Sequence, residues 1–148
     1  KSQNNKTDLF VRNPHATRPW QHVLEPLVGY ISISYHLSTN KIHSNKIYNL
    51  GPNIRKNMTV KNVLEFLNNN STKKVKIKYK KNNIPESKLL FLNSNLINKE
   101  IGWKCYLKQH EVFKLTSDWY NYFYSKDKSI IFDYTTKQIH DYLVKYYE

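Results

Sequence analysis

Two pairs in the chain have the spacing of an acid–base couple: Tyr122-x-x-x-Lys126 and Tyr124-x-x-x-Lys128 each place a phenol and an ammonium one helical turn apart. The sequence holds 12 Tyr, and 21 of its 24 cations are Lys, so such pairs also arise by coincidence. Lys74, Lys76, Lys78 and Lys80 alternate with Val75, Ile77 and Tyr79. That is a half-buried strand with a solvated basic face, or alternatively a stripe for phosphate. His22 sits in an extended stretch beside apolar neighbours, where a structural role fits better than acid–base work. Cys105 is alone, which excludes an intramolecular disulfide and a four-thiolate zinc site. Gly29, Gly51 and Gly102 are too dispersed for a phosphate-cradling loop.

These residues must be positioned by a chain of 148 residues, enough for one domain with a genuine core. The net charge of +13 invites a nucleic-acid reading through phosphate neutralisation. However, only Arg12, Arg18 and Arg55 are Arg, and Asn occurs 18 times. A/T-rich codons account for that bias, and base-edge readers rely on Arg forks. No nucleic-acid partner is expected. No run reaches ~18 apolar residues and the start, KSQNNKTD, is polar. Neither a membrane span nor a signal peptide is expected, and the reading is a soluble, cytoplasmic protein.

Residues 9–11 form a strand candidate, followed by a turn at Asn13-Pro14. Leu24, Leu27, Val28, Ile31 and Tyr35 share one face of a helix over 24–38, in which Gly29 implies close packing. A short strand is expected at 47–50, ending at Gly51-Pro52. A helix capped by Thr59 turns Val60, Val63, Leu64 and Leu67 inward. The alternating strand occupies 73–80, and 89–92 is a further extended apolar run. Ser94 caps a short helix closed by Gly102. Val112, Leu115, Trp119 and Phe123 mark a longer helix, and Thr135 opens a last one with Ile139, Tyr142, Leu143 and Tyr146 inward. There are no internal repeats.

The string RNPHATRPWQHVLEPLVGY (12–30) closely resembles a segment of the CDP-glucose 4,6-dehydratases, members of the extended short-chain dehydrogenase/reductase superfamily. YNLGPN (48–53) is similar to that family's Asn-Phe-Gly-Pro turn and MTVKNVLEFL (58–67) to its Thr-Val helix. ESKLLFLNSNLINKEIGW (86–103) keeps its Glu, Leu, Leu and Leu-Gly-Trp spacing without a gap, and DWYNYFY (118–124) resembles a helix ending in Trp-Tyr. The likeness covers about 9–125, with TTKQIHDY (135–142) similar to the closing helix. Three departures stand out: Pro85 before Glu86, Asn93 after Leu92, and Leu96-Ile97.

The resemblance implies an α/β fold: the C-terminal, substrate-binding part of a Rossmann-type extended short-chain dehydrogenase, locally α+β with short strands and about five helices. Residues 1–125 would be the sugar-nucleotide-binding region and 126–148 a helical tail. The reaction implied is oxidation of CDP-glucose at C4 by bound NAD, loss of water across C5 and C6, and return of the hydride to C6. The implied product is a 4-keto-6-deoxy sugar for deoxysugar and surface-polysaccharide synthesis. The family's catalytic Tyr-x-x-x-Lys and Gly-rich NAD loop precede the matched segments, so no catalytic residue is expected here, and both Tyr/Lys pairs noted above fall on the wrong side. NAD would be held by a missing N-terminal domain, in keeping with a first residue that is not Met. Arg18, in the family's Arg-x-Trp position, is implied to face the pyrophosphate, since a guanidinium fork matches phosphate oxygens in pairs. Arg12 and Asn13 share its loop, Glu86 holds the family's Glu position, and Lys88 is a candidate second phosphate charge. Trp20 and Trp103 read as packing anchors rather than stacking platforms for cytosine. The chain alone is expected to be inactive, its parent enzyme a homo-oligomer. A non-catalytic relic or binding module, or another NAD-dependent sugar-nucleotide dehydratase or epimerase, remains the alternative.

Overall fold

Leu9–Val11 (β1) and Ile77–Tyr79 (β2) pair in parallel, Leu9 opposite Ile77 and Val11 opposite Tyr79. Parallel pairing demands a crossover, here made by two helices: Leu24–Ser38 (α1) and Val60–Asn70 (α2). Three more follow: Asn95–Ile101 (α3), Gln109–Phe123 (α4) and Ile131–Tyr147 (α5). The computed structural model describes residues 8–52, 58–80, 87–125 and 129–147. Five helices and two short parallel strands among them make the chain α/β.

The core gathers Leu24 and Val28 of α1, Val63 of α2, Ile97 of α3, Trp103 and Leu107 of the following loop, Val112 and Phe113 of α4, and Tyr142 of α5. α4 packs against both α2 and α5. Both expected anchors are confirmed. Trp103 is fully buried and donates to the Glu25 carbonyl at 3.2 Å, while Trp20 donates to the Met58 carbonyl at 2.9 Å and meets Phe113 edge-on.

α1 has the expected bounds but a different inward face. Glu25, Val28 and Gly29 are buried beside Leu24, whereas Leu27, Ile31 and Tyr35 are exposed. The helix is apolar on almost every side, so periodicity alone could not orient it. A Cβ on Gly29 would lie 2.4 Å from Leu50 and 3.0 Å from the Trp103 ring, which is the close packing its position implies.

Residues 47–50 are extended but form no strand, because no ladder partner faces them among the described residues. The strand expected over 73–80 contracts to β2, where β1 lies alongside. Its lysines are engaged: Lys78 pairs with Asp8, Lys80 lies 4.3 Å from the Phe10 ring centre, and Lys74 donates to the carbonyls of Asn68 and Asn69.

The helix ends follow local chemistry. Thr59 caps α2, its hydroxyl accepting from the Asn62 N–H at 3.2 Å. Ser94 stands at the N-cap of α3 without capping by its side chain, because its hydroxyl donates to the Gly51 carbonyl at 2.6 Å; Asn93 accepts from the Asn95 N–H instead. Gly102 closes α3 at φ +74°, a left-handed conformation that suits glycine. α5 opens at Ile131, four residues before Thr135, and turns Gln138 and Tyr142 inward while Ile139 is exposed. The Thr135 hydroxyl is occupied, donating to the Ile131 carbonyl and accepting from Trp119.

Candidate sugar-nucleotide site

The loop leaving β1 carries Arg12, Asn13 and Arg18 and is tied down at three points. The Asn13 carbonyl accepts from the Ala16 N–H, closing the turn. The first N–H groups of α2 donate back to it, Val60 to the Ala16 carbonyl and Lys61 to the Pro14 carbonyl, both at 2.9 Å. Thr17 forms an isolated antiparallel bridge to Thr59. These bonds occupy the N-terminus of α2, so the helix end serves the loop.

At its far side the loop meets the extended segment 87–93. Thr17 donates its N–H to the Lys88 carbonyl at 2.9 Å. The Arg18 guanidinium donates from one nitrogen to the carbonyls of Thr17 (2.7 Å) and Ser87 (3.1 Å). Arg18 and Lys88 are thus brought to one place by hydrogen bonds to the carbonyls of Ser87 and Lys88 that span 69 to 71 residues of sequence. Arg12 and Asn13 stand at the other end of the same loop. Glu86 lies outside the described residues, immediately before Ser87.

A guanidinium is a planar fork of N–H donors, a geometry that pairs with two oxygens of one anion. That arrangement suits phosphate oxygens. Among the described residues it supplies neither a general base nor a nucleophile.

The remaining candidates are elsewhere. α4 stops at Phe123, and Lys126 and Lys128 of the two Tyr/Lys pairs lie outside the described residues. His22 is buried, its Nδ1 accepting from the Leu24 N–H, and burial lowers its pKa. Cys105 is half-buried; burial first, and Glu25 second, push its thiol up to about 12. Among the described residues no cluster of His, Cys, Asp and Glu could hold a metal ion. The described residues do not fit a dinucleotide either. Gly29 is packed under Leu50 and Trp103, Gly51 is packed on Leu92, and Gly102 terminates a helix, so none of them lets backbone approach a pyrophosphate.

One residue went unread in the sequence. Glu25 is fully buried, its carboxylate accepting from the N–H groups of Tyr106 (3.0 Å) and Leu107 (2.7 Å) and from the Tyr142 hydroxyl (3.0 Å). Its three-and-four spacing to Val28 and Gly29 was the available signal. The role is architectural: it joins α1, the loop after Trp103 and α5. A cavity of about 560 Å³ between α1, α4 and α5, lined by Val23, Leu27, Trp119 and Ile139, does not include Arg18.

Comparison with known proteins agrees with the resemblance read from the sequence. The chain is 38% identical over 65 residues to the CDP-glucose 4,6-dehydratase of Salmonella typhimurium, a match covering 44% of this chain and 18% of that protein. Its fold matches the structure of RMD from Pseudomonas aeruginosa complexed with NADPH, with a TM-score of 0.59 and 14% identity over 76% of this chain and 36% of that one. No family model matches. The chain therefore spans well under half the length of either relative, and over its matched residues it is similar to a CDP-glucose 4,6-dehydratase. No helix among the described residues is long and apolar enough to cross a membrane.

Proposed function

We propose that the chain is the sugar-nucleotide-binding, C-terminal portion of a CDP-glucose 4,6-dehydratase, with residues 1–125 forming that region and 126–148 its helical tail. The whole enzyme would convert CDP-glucose to CDP-4-keto-6-deoxyglucose for deoxysugar and surface-polysaccharide synthesis. It would act in the cytoplasm as a homo-oligomer. NAD is held by the enzyme's N-terminal domain, which also supplies the catalytic Tyr and Lys, so these 148 residues alone turn over no substrate.

The observation that carries this reading is the placing of the Arg18 guanidinium, held by the carbonyls of Thr17 and Ser87 beside Lys88. Arg18 pairs with the pyrophosphate, Lys88 adds a second charge, Arg12 and Asn13 line the nucleotide side of the loop, and Glu86 orients the sugar end. The likeness to the Salmonella enzyme supports CDP-glucose as the substrate.

Titration calorimetry with CDP and CDP-glucose tests it. Both should bind, and Arg18→Gln should weaken each by ~10-fold or more, the loss of a charge-assisted phosphate contact. Absence of binding, or binding indifferent to Arg18, would sink the assignment. Salt-sensitive binding to DNA or RNA in its place would turn the reading to nucleic acid.

A further inference from the structure

The extended segment 87–94 is anchored at its two ends and bare between them. At the far end Leu92 packs on Gly51, and the buried Ser94 hydroxyl donates to the Gly51 carbonyl. In the middle Leu89, Leu90 and Phe91 are exposed, and at the near end so are Ser87 and Lys88. Packing in the core therefore does not decide where Ser87 sits. Hydrogen bonds do: the Lys88 carbonyl accepts from the Thr17 N–H at 2.9 Å, and the Ser87 carbonyl accepts from the Arg18 guanidinium at 3.1 Å.

The opposite flank of the loop is held by a helix. The Ala16 carbonyl accepts from the Val60 N–H, and Thr17 bridges to Thr59, whose hydroxyl caps α2. Residues 16–18 thus run between the start of α2 and residues 87–88, bonded to both. The main chain at Arg18 is set from the α2 side and its guanidinium from the Ser87 side. A long, rotamer-rich side chain that is ordered only when a ligand arrives gives up affinity, whereas one restrained beforehand by supporting hydrogen bonds keeps it.

What aims the Ser87 carbonyl is the side chain of Ser87 itself. Its hydroxyl donates to the Leu89 carbonyl at 2.6 Å and so closes a local turn over 87–89 in a stretch that packing leaves bare. We propose that Ser87 is a positioning residue for Arg18: its hydroxyl fixes the turn, the turn presents the Ser87 carbonyl, and that carbonyl holds the guanidinium ready for the oxygens of a pyrophosphate ester. Ser87 acts through Arg18 and makes no contact with the ligand. The proposal rests on the reading of Arg18 as the pyrophosphate contact and adds the residue that readies it.

The test uses the full product of the reading frame that encodes this chain, as wild type, Ser87→Ala, Ser87→Thr, Arg18→Gln and the Ser87→Ala/Arg18→Gln double variant. Without nucleotide, the rate at which phenylglyoxal modifies Arg18, followed by mass spectrometry, reads the guanidinium directly. Ser87→Ala should raise that rate by ~5-fold and Ser87→Thr, which keeps the hydroxyl, should return it to the wild-type value. By calorimetry Ser87→Ala should weaken CDP by ~5-fold, leave cytidine, which has no phosphate, unchanged, and cost nothing further once Arg18 is Gln. Equal modification rates in wild type and Ser87→Ala overturn the proposal. So does a loss of cytidine binding as large as that of CDP, which would make Ser87 merely structural, or strict additivity in the double variant. A wild-type protein that ignores CDP while Arg18 modification still depends on Ser87 would leave the positioning standing and sink only the substrate reading.

Discussion

Glu25 and Tyr142, 117 residues apart in the chain, share a hydrogen bond of 3.0 Å in the protein interior. The same carboxylate also takes the N–H groups of Tyr106 and Leu107, so one side chain of α1 closes both the loop before α4 and the last helix. Glu25→Ala strands three donors and should cost about 3 kcal/mol, against about 1.5 kcal/mol for Tyr142→Phe. Urea unfolding reads both as a lower midpoint at constant slope. A Glu25→Ala loss under about 1 kcal/mol would remove Glu25 from this role.

His22 predicts a pH dependence of defined sign. Burial lowers its folded pKa below the ordinary 6.5, so the unfolded chain binds its proton more readily. Its contribution to stability is fully present above pH 6.5 and is lost as pH falls through the folded value. His22→Gln should flatten the stability profile in that window, measured by urea midpoints between pH 5 and pH 7.5, about the range in which histidine titrates. A slope that survives the substitution would assign the effect to another group.

Gly29→Ala puts a methyl 2.4 Å from Leu50 Cδ2 and 3.0 Å from Trp103 Nε1. Overpacking of this kind costs about 1–3 kcal/mol. The Leu50 end can move, so adding Leu50→Ala should make the second substitution less costly than it is alone. A double-mutant cycle checks this, and strict additivity would show that the glycine is not packed as described.

Cys105 should be unreactive in the folded chain. With its pKa raised from 9.0 to about 12, the thiolate at pH 8 is ~1000-fold scarcer than in an unperturbed thiol. A chromogenic disulfide reagent should accordingly react far faster after unfolding in guanidinium, and comparable rates in the two states would contradict the burial.

Much of this architecture is legible in sequence wherever a local signal suffices. α1 and α2 keep their expected bounds because period and Thr59 capping are local, and Gly102 ends α3 because its conformation excludes most other residues. What is not legible depends on distant partners. The face of α1 is set by Trp103, Leu107 and Tyr142; β2 is shortened to the stretch that β1 reaches; and 47–50 stays open for want of a neighbour. The candidate site divides the same way. Arg18 is singled out by its motif, but its restraint by the Ser87 carbonyl belongs to the fold.

The parallel pairing of β1 with β2 has a kinetic consequence. All of α1 and α2 lies between Leu9 and Ile77, so the ladder forms only after that long loop has closed, whereas both helices can form from nearby residues. The loop that bears Arg18 leaves β1 directly, and it is held by α2 on one side and by residues 87–88 on the other. Pulsed hydrogen exchange during refolding should therefore find the amides of Leu9 and Lys80 protected later than those within α1 and α2. The basic loop would then be among the last parts of the chain to acquire its shape.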